Sequence, residues 1–198
     1  MVRVPRLRLP SPTLPATCNA VAALALVAGL VLSYSQAQTD AARRMAARDP
    51  APEPIAIAAF DRGDHIGPAD EVMVLAQIDM TRGLQIAPAW GASDSAVTAY
   101  RLLEQGAGPQ GAPAGYILLP SDTTQTLRIP AGLDILGEGT LGPIAAINGT
   151  VTERFRLAAK LRKGFAVPAA AGNRAPLIVR AFVHGRVPDL VRDRSSPV

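Results

Sequence analysis

Few side chains in this sequence have the types and the spacing that catalysis requires. A hydrolytic site needs a nucleophile, a general base and a group that orients the base. The candidate bases are His65 and His184, and the candidate nucleophiles in predicted loops are Ser93, Ser95 and Ser121. None of these serines lies in a G-x-S-x-G turn, which would expose a nucleophile above a sheet. A hydrolase that uses His65 or His184 is therefore an alternative without positive support, and no catalytic residue is assigned.

Metal-binding chemistry has one weak candidate, His65, which lies near Asp61 and Asp64. The H-x-H and H-E-x-x-H spacings of zinc sites are absent from the sequence, so a solvated loop histidine is the better interpretation. The single cysteine, Cys18, lies in an apolar segment and allows neither an intrachain disulfide nor a cysteine-based zinc site. We expect no metal site.

Residues 137–142 (GEGTLG) match the G-x-G-x-x-G pattern of dinucleotide-binding loops. That pattern binds a pyrophosphate only when a strand precedes it and a helix begins within it. Here Pro143 follows, and then only Ile144–Ile147 precede an Asn-Gly pair, which is too short for such a helix. We predict a flexible loop and no cofactor.

Two further short patterns have ordinary explanations. Asn148-Gly149-Thr150 matches an N-glycosylation acceptor, but the same residues predict a tight turn followed by a helix cap. Arg62-Gly63-Asp64 matches an adhesion tripeptide, yet these three residue types are common in loops. Neither pattern is assigned a function.

The longest apolar segment, residues 16–34 (ATCNAVAALALVAGLVLSY), contains no charged residue. As an α-helix it would be roughly 28 Å long, which is close to the hydrocarbon thickness of a bilayer. A water-soluble fold would have to bury every face of this helix, whereas lipid solvates it directly. We therefore predict a retained transmembrane helix, a signal anchor, whose partner is the lipid bilayer.

A cleaved signal peptide is the alternative for this segment. Residues 20–32 provide 13 apolar residues, and Ser35-Gln36-Ala37 provides a small-x-small cleavage site that would leave Gln38 as the first residue. The length of the leader and of the apolar segment favours retention. Both interpretations export the C-terminal domain.

The basic segment at residues 1–15 favours a cytoplasmic N-terminus, because three arginines precede the apolar segment. Three more follow it: Arg43, Arg44 and Arg48. The charge bias is thus nearly even, and the orientation depends on the order of basic and apolar segments. Arginine outnumbers lysine 18 to 2, which is typical of a GC-rich bacterial genome. We expect a single-pass protein of the bacterial inner membrane with a periplasmic C-terminal domain.

Three small residues, Ala25, Gly29 and Ser33, recur every four positions and share one face of the predicted helix. Small residues at this spacing let another membrane helix approach closely. An alanine-rich segment also produces such a spacing by chance. Both interpretations, a contact for another membrane protein and a coincidence of composition, stay open.

Residues 35–54 form the predicted linker. Their polar first part can prolong the helix as far as Arg48, and three prolines, at positions 50, 52 and 54, then end it. The exported domain is predicted at residues 55–187, and residues 188–198 are predicted to be a flexible tail.

Short apolar runs between glycines and prolines predict a mostly β domain. In the run at residues 71–79, alternate residues would share one buried face: Val72, Val74, Ala76 and Ile78. The predicted strands are Glu71–Asp79, Val97–Leu103, Tyr116–Leu119, Thr126–Ile129, Ile144–Ile147 and Leu177–His184. One helix is predicted at residues 151–163, because Thr150 and Glu153 match a capping box and Gly164 offers a C-cap.

The predicted fold is therefore a single transmembrane helix followed by a small α+β domain, either an OB-like partly open barrel or a small sandwich with one helix. The basic leader accounts for most of the net charge of +4, so nucleic acid is not an expected partner. The layout resembles that of single-pass envelope proteins such as cytochrome oxidase assembly factors and secretion-machinery linkers. That resemblance covers no residue motif and implies only a layout.

The expected function is that of a non-enzymatic accessory, assembly or interaction subunit. The alternative in another class is an exported domain that binds a small molecule or a glycan. Such a domain would present a concave site lined by Trp90, Tyr100 or Tyr116.

Overall fold

The computed structural model describes residues 14–86, 96–121, 129–152, 155–167 and 176–191. The chain forms two compact units, with the division between Ala41 and Ala42. The first consists of the greater part of one helix, and the second contains the end of that helix and a mostly β domain. The predicted combination of an N-terminal apolar helix and a mixed, mostly β domain is confirmed.

Helix α1 spans Leu14–Arg48 and therefore includes the predicted apolar segment and its predicted extension to Arg48. In the polar part the hydroxyl groups find acceptors within the helix: Ser35 donates to the Leu32 carbonyl and Thr39 to the Ser35 carbonyl. The helix ends just before Pro50, as expected for the residues preceding a proline.

The domain contains seven strands and two further helices within the described residues. The strands are β1 (Ile55–Ala56), β2 (Glu71–Ile86), β3 (Val97–Leu103), β4 (Gly115–Pro120), β5 (Leu133–Glu138), β6 (Pro143–Val151) and β7 (Leu177–Ala181). The helices are α2 (Phe155–Gly164) and α3 (Arg186–Val191), and two 3₁₀ turns lie at Ile57–Ala59 and Pro68–Asp70.

The strands form one sheet in the order β1-β2-β3-β4-β7-β6-β5, with an additional pairing between β2 and β6. This pairing makes the sheet partly ring-like. Strand β2 has 16 residues and pairs with two strands along its length. Its first part, Glu71–Gln77, pairs with β6, and its second part, Gln77–Ile86, pairs with β3. The register shifts between Asp79 and Leu84, as it does at a β-bulge. Strands β4 and β7 are parallel, as are β1 and β2.

The domain has apolar clusters on both faces of the sheet. The predicted alternation in β2 is confirmed, since Val72, Val74, Ala76 and Ile78 are at most 1% exposed and belong to the larger cluster. On the opposite face, Leu161 of α2 is fully buried against residues of β3, β4 and β7, including Tyr116. The amphipathic α2 thus packs on the outer face of the sheet.

The predicted start of the helix at residue 151 is wrong. Thr150 and Val151 are the last residues of β6, and α2 begins at Phe155. Thr150 pairs with Glu71 of β2 and Arg180 of β7, so strand pairing on both sides prevails over the local capping signal. Glu153 lies outside the described residues.

The end of α2 also differs from the prediction. Gly164 is still helical, and Ala166 adopts the left-handed conformation instead, with φ of 52°. The Val167 amide donates to the Arg162 carbonyl (2.9 Å) and the Ala166 amide to the Lys163 carbonyl (3.2 Å). These bonds satisfy carbonyls at the helix end in the manner of a Schellman motif.

The predicted turn at Asn148-Gly149 is wrong, because both residues pair with β2 in the middle of β6. A side chain at position 149 would clash with the backbone of Arg180 and Ala181 in β7. The glycine is therefore required for close strand packing and not for a turn.

Other strand boundaries differ as well. The strand predicted at Thr126–Ile129 lies outside the described residues except for Ile129, which is not in a strand, and β1 and β5 were not expected. Strand β7 ends at Ala181, three residues before the predicted end, because Asp189 accepts the amides of Val183 and His184. Residues 188–191 of the predicted tail lie in α3, and residues 192–198 lie outside the described part.

Candidate functional site

The largest exposed apolar surface of the described residues lies on α1. Between Val21 and Tyr34 its large apolar side chains are 57–71% exposed. By length and composition, α1 is the one helix among the described residues that could cross a membrane. The small residues Ala25, Gly29 and Ser33 are exposed within this surface, and open space surrounds Gly29.

The end of α1 is held by a charged side chain from the other end of the domain. The Arg186 guanidinium donates to the carbonyls of Ala46 (2.5 Å), Asp49 (2.7 Å) and Pro50 (3.3 Å). It also pairs with both carboxylate oxygens of Glu71, at 2.6 and 3.0 Å. We call Arg186, Glu71 and these carbonyls the helix-end clasp. It satisfies the Ala46 carbonyl, which lies in the last turn of α1 and has no intrahelical donor, and two carbonyls just beyond the helix end.

The Glu71–Arg186 part of the helix-end clasp is largely buried and lies beside a small apolar cluster. The Glu71 side chain is 2% exposed and that of Arg186 is 18% exposed. Beside them, Ala46 packs with Phe182 and Leu190, all at most 3% exposed. The hydrogen bond to Glu71 raises the pKa of Arg186 above its ordinary value. The part of the predicted linker around Ala46 is thus a packed element of the domain.

Unusual backbone conformations precede both partners of this pair. Ala69 and Asp70, just before Glu71, have φ values of 63° and 59°, and Gly185, just before Arg186, has φ of 113°. L-residues rarely adopt such angles because of steric cost. The surrounding structure must therefore stabilise these segments.

A second ion pair lies further along β2, on its outer face. Asp79 is fully buried and accepts two bonds from the Arg101 guanidinium, from Nε at 2.9 Å and from Nη2 at 2.5 Å. Its other oxygen accepts the amide and the hydroxyl of Thr81. Burial by itself raises the pKa of Asp79, but the bonds from Thr81 and Arg101 outweigh this effect and leave the pKa below its ordinary value of 3.8.

The G-x-G-x-x-G segment lies against this part of β2 and not at a helix start. Gly137 and Glu138 end β5, and the remaining residues form the connection to β6. Gln77 is fully buried and donates to the Ala107 carbonyl at 3.4 Å, while its Oε1 has no hydrogen-bond partner among the described residues. A side chain at Gly139 would clash with that Oε1. The backbone of this segment therefore packs closely against the Gln77 side chain.

The two histidines are held by neighbouring residues in separate loops. His65 Nδ1 contacts the Asp61 amide at 2.8 Å and carbonyl at 3.1 Å, and its ring lies 5.9 Å from that of Phe60. His184 Nδ1 lies 3.1 Å from an Asp189 carboxylate oxygen. In the described part of the chain, no group of three or more acidic, cysteine or histidine side chains is placed to hold a metal ion.

The adhesion-like tripeptide lies in the loop that contains His65. The Arg62 guanidinium donates to the Pro176 carbonyl at 2.9 Å, and the Asp61 carboxylate accepts the Gly63 amide. The arginine therefore binds the domain's own backbone, which favours a structural loop over an adhesion site.

The aromatic residues considered for ligand binding do not share a site within the described residues. Tyr100 belongs to the larger apolar cluster, whereas Tyr116 lies on the opposite face and stacks on Phe165 at 5.5 Å. Burial raises the pKa of both tyrosines, for Tyr116 against the smaller effect of Arg162 and Arg101. Trp90 lies outside the described residues.

The chain matches no family model, no curated protein and no solved structure. Its interpretation therefore depends on its own residues. Sequence reasoning missed the helix-end clasp and the Asp79–Arg101 pair, since the partners of the first are 115 positions apart and those of the second lie on different strands.

Proposed function

We propose that this protein is a single-pass, membrane-anchored accessory or interaction subunit without enzymatic activity. The observation that carries the proposal is the exposed apolar surface of α1 between Val21 and Tyr34. Exposure of so many large apolar side chains to water is unfavourable at roughly 25 cal/mol per Å², and insertion into lipid removes that cost.

The proposed topology has residues 1–15 in the cytoplasm and the C-terminal domain in the bacterial periplasm. The arginines of the leader and their position before the apolar segment support this orientation. A reporter active only in the cytoplasm, fused at residue 60, should be inactive, and a periplasmic reporter should be active. The reverse result would overturn the orientation.

Retention of the anchor is tested separately. Alkaline carbonate should leave the full-length protein in the membrane fraction, and mass spectrometry should find the intact N-terminal segment. A mature protein that begins at Gln38 would instead show that the apolar segment is a cleaved signal peptide. A full-length protein released by carbonate would contradict membrane anchoring altogether.

For the domain, we propose a partly open barrel of the OB type. Strand pairing around the ring β2-β3-β4-β7-β6-β2 supports this assignment, as does the long β2, which pairs with both β3 and β6. In OB folds the face around the second and third strands of the ring binds ligands, and in this ring those strands are β3 and β4. Here α2 packs on that face, so ligand binding there is not part of the proposal.

Non-enzymatic docking to another membrane protein is the proposed activity, and the small residues of α1 offer a direct experiment. Gly29→Ile fills the open space beside the helix and should leave insertion intact. If Ala25, Gly29 and Ser33 form a contact, less partner will copurify with the variant at equal expression. Equal recovery with Gly29→Ile and with wild type would assign the spacing to alanine-rich composition.

A further inference from the structure

We propose that the last turns of α1 together with α3 form a surface that binds anionic phospholipid headgroups. This inference depends on the proposed membrane anchoring. The surface consists of Arg44, Met45 and Arg48 on α1 and Val187 and Val191 on α3. All five residues belong to the second unit of the chain.

The two helices are in direct contact where this surface lies. Ala46 packs with Leu190, and Arg186 donates to the Ala46 carbonyl. Met45, Val187 and Val191 are the immediate chain neighbours of Ala46, Arg186 and Leu190, the residues that make these contacts. They are nevertheless 63%, 51% and 53% exposed, so large apolar side chains on both helices are open to solvent next to the residues that make the contact.

The charges near these apolar side chains favour an anionic partner. Arg44 and Arg48 are both exposed, and their spacing of four residues places them one helical turn apart. Asp49 is exposed at the same helix end and offsets one of the two positive charges. Asp189 of α3 is 16% exposed, and its carboxylate accepts the amides of Val183 and His184. Apolar side chains beside arginines are the combination by which interfacial helices bind anionic lipid.

Lipid is a more direct occupant than a soluble protein because of the position of these residues in the chain. Arg44 follows Tyr34, the end of the apolar segment, by ten residues in the same helix. A short covalent connection to an inserted segment gives the surface a high effective concentration of headgroups. Even weak attraction, about fivefold per arginine, then suffices for occupancy.

The experiment uses the full-length protein in nanodiscs of phosphatidylcholine alone or of phosphatidylcholine mixed with phosphatidylglycerol. Hydrogen exchange of the amides at 44–48, 187 and 189–191 should be slower in the anionic discs, by about threefold or more. The double variant Arg44→Gln/Arg48→Gln should abolish this difference. The matched control Lys160→Gln/Lys163→Gln removes two exposed positive charges from α2 and should preserve it.

Equal exchange in the two lipids would overturn the inference, as would equal loss of protection in both double variants. Protection that appears only when another membrane protein is added would likewise reject lipid as the occupant. Carbonate extraction separates the two proposals. A chain that stays in the membrane but shows no lipid-dependent protection refutes this inference alone, whereas a chain that is extracted refutes the anchoring.

Discussion

Strand β2 carries two buried carboxylates, each paired with an arginine, and the two pairs differ in what they connect. Asp79 and Arg101 lie opposite each other on adjacent strands, and Thr81 completes the carboxylate's bonds. Glu71 and Arg186 instead connect β2 to the end of α1 and the start of α3. The first pair, which we call the local pair, stabilises two adjacent strands. The second, which we call the connecting pair, joins segments that are remote in sequence.

The two pairs therefore differ in the hydrogen bonds that each carboxylate keeps when its arginine is removed. Without Arg101, Asp79 still accepts two bonds from Thr81. Without Arg186, Glu71 stays buried but loses the guanidinium that donates to both of its oxygens. Three carbonyls at and just beyond the end of α1 also lose a charged donor. Removing one partner of a buried pair is costly mainly because the other charge stays buried.

The largest effect is therefore expected for Arg186→Met. We expect a loss of about 3 kcal/mol in the free energy of unfolding, measured by urea denaturation of the detergent-solubilised protein. Limited proteolysis should also become faster within residues 42–54, since their attachment to the domain is lost. In Glu71→Met/Arg186→Met the unpaired charge is absent, so part of the stability should return. Unchanged proteolysis in Arg186→Met would show that the apolar contact of Ala46 holds this segment without the helix-end clasp.

A smaller effect is expected for Arg101→Met. Because Thr81 continues to hold Asp79, the loss should be about 1–2 kcal/mol, less than for Arg186→Met. Proteolysis within residues 42–54 should be unchanged. If the two arginine variants lose equal stability and expose the same segment, the distinction between a local pair and a connecting pair is wrong.

The dependence of stability on pH provides a third test. Because the pKa of Asp79 is lower in the folded protein than its ordinary value of 3.8, its ionised form is favoured by folding. This contribution is present above that ordinary value and is lost as pH falls below it, through the folded-state pKa. The urea midpoint of wild type should therefore fall more steeply than that of Asp79→Asn as the solution is acidified from neutral pH to below that ordinary value. Parallel curves would contradict the assigned direction of the pKa shift.

Features that depend on neighbouring residues could be predicted from the sequence, whereas contacts between remote segments could not. The alternation of Val72, Val74, Ala76 and Ile78 and the uncharged segment of α1 are local patterns, and both predicted the correct element. The start of α2 was placed too early because Thr150 has two compatible local roles, and only its neighbours β2 and β7 select the strand. Arg186 carries no motif in the sequence. No local signal relates it to the Ala46 carbonyl, which is 140 positions away.

The smallest effect concerns the backbone beside the connecting pair. Ala69, two residues before Glu71, has φ of 63°. This conformation costs an L-residue roughly 1–2 kcal/mol and glycine almost nothing. Ala69→Gly removes this cost, but it increases the entropy of the unfolded chain and removes a methyl group that packs on the cluster of Ala46, Phe182 and Leu190. We expect a net gain of about 0.5 kcal/mol in the free energy of unfolding, measured by urea denaturation.

Two alanines serve as controls for that substitution. Ala166 has a similar φ, 52°, and is exposed. Ala166→Gly should therefore gain slightly more, about 0.5–1 kcal/mol. Ala56 has φ of −58°, so Ala56→Gly relieves no strain and should lose stability. If Ala69→Gly instead destabilises the protein while Ala166→Gly stabilises it, the methyl contact at residue 69 outweighs the relief of backbone strain. The connecting pair would then depend on apolar packing at this position more than on the geometry of the turn before Glu71.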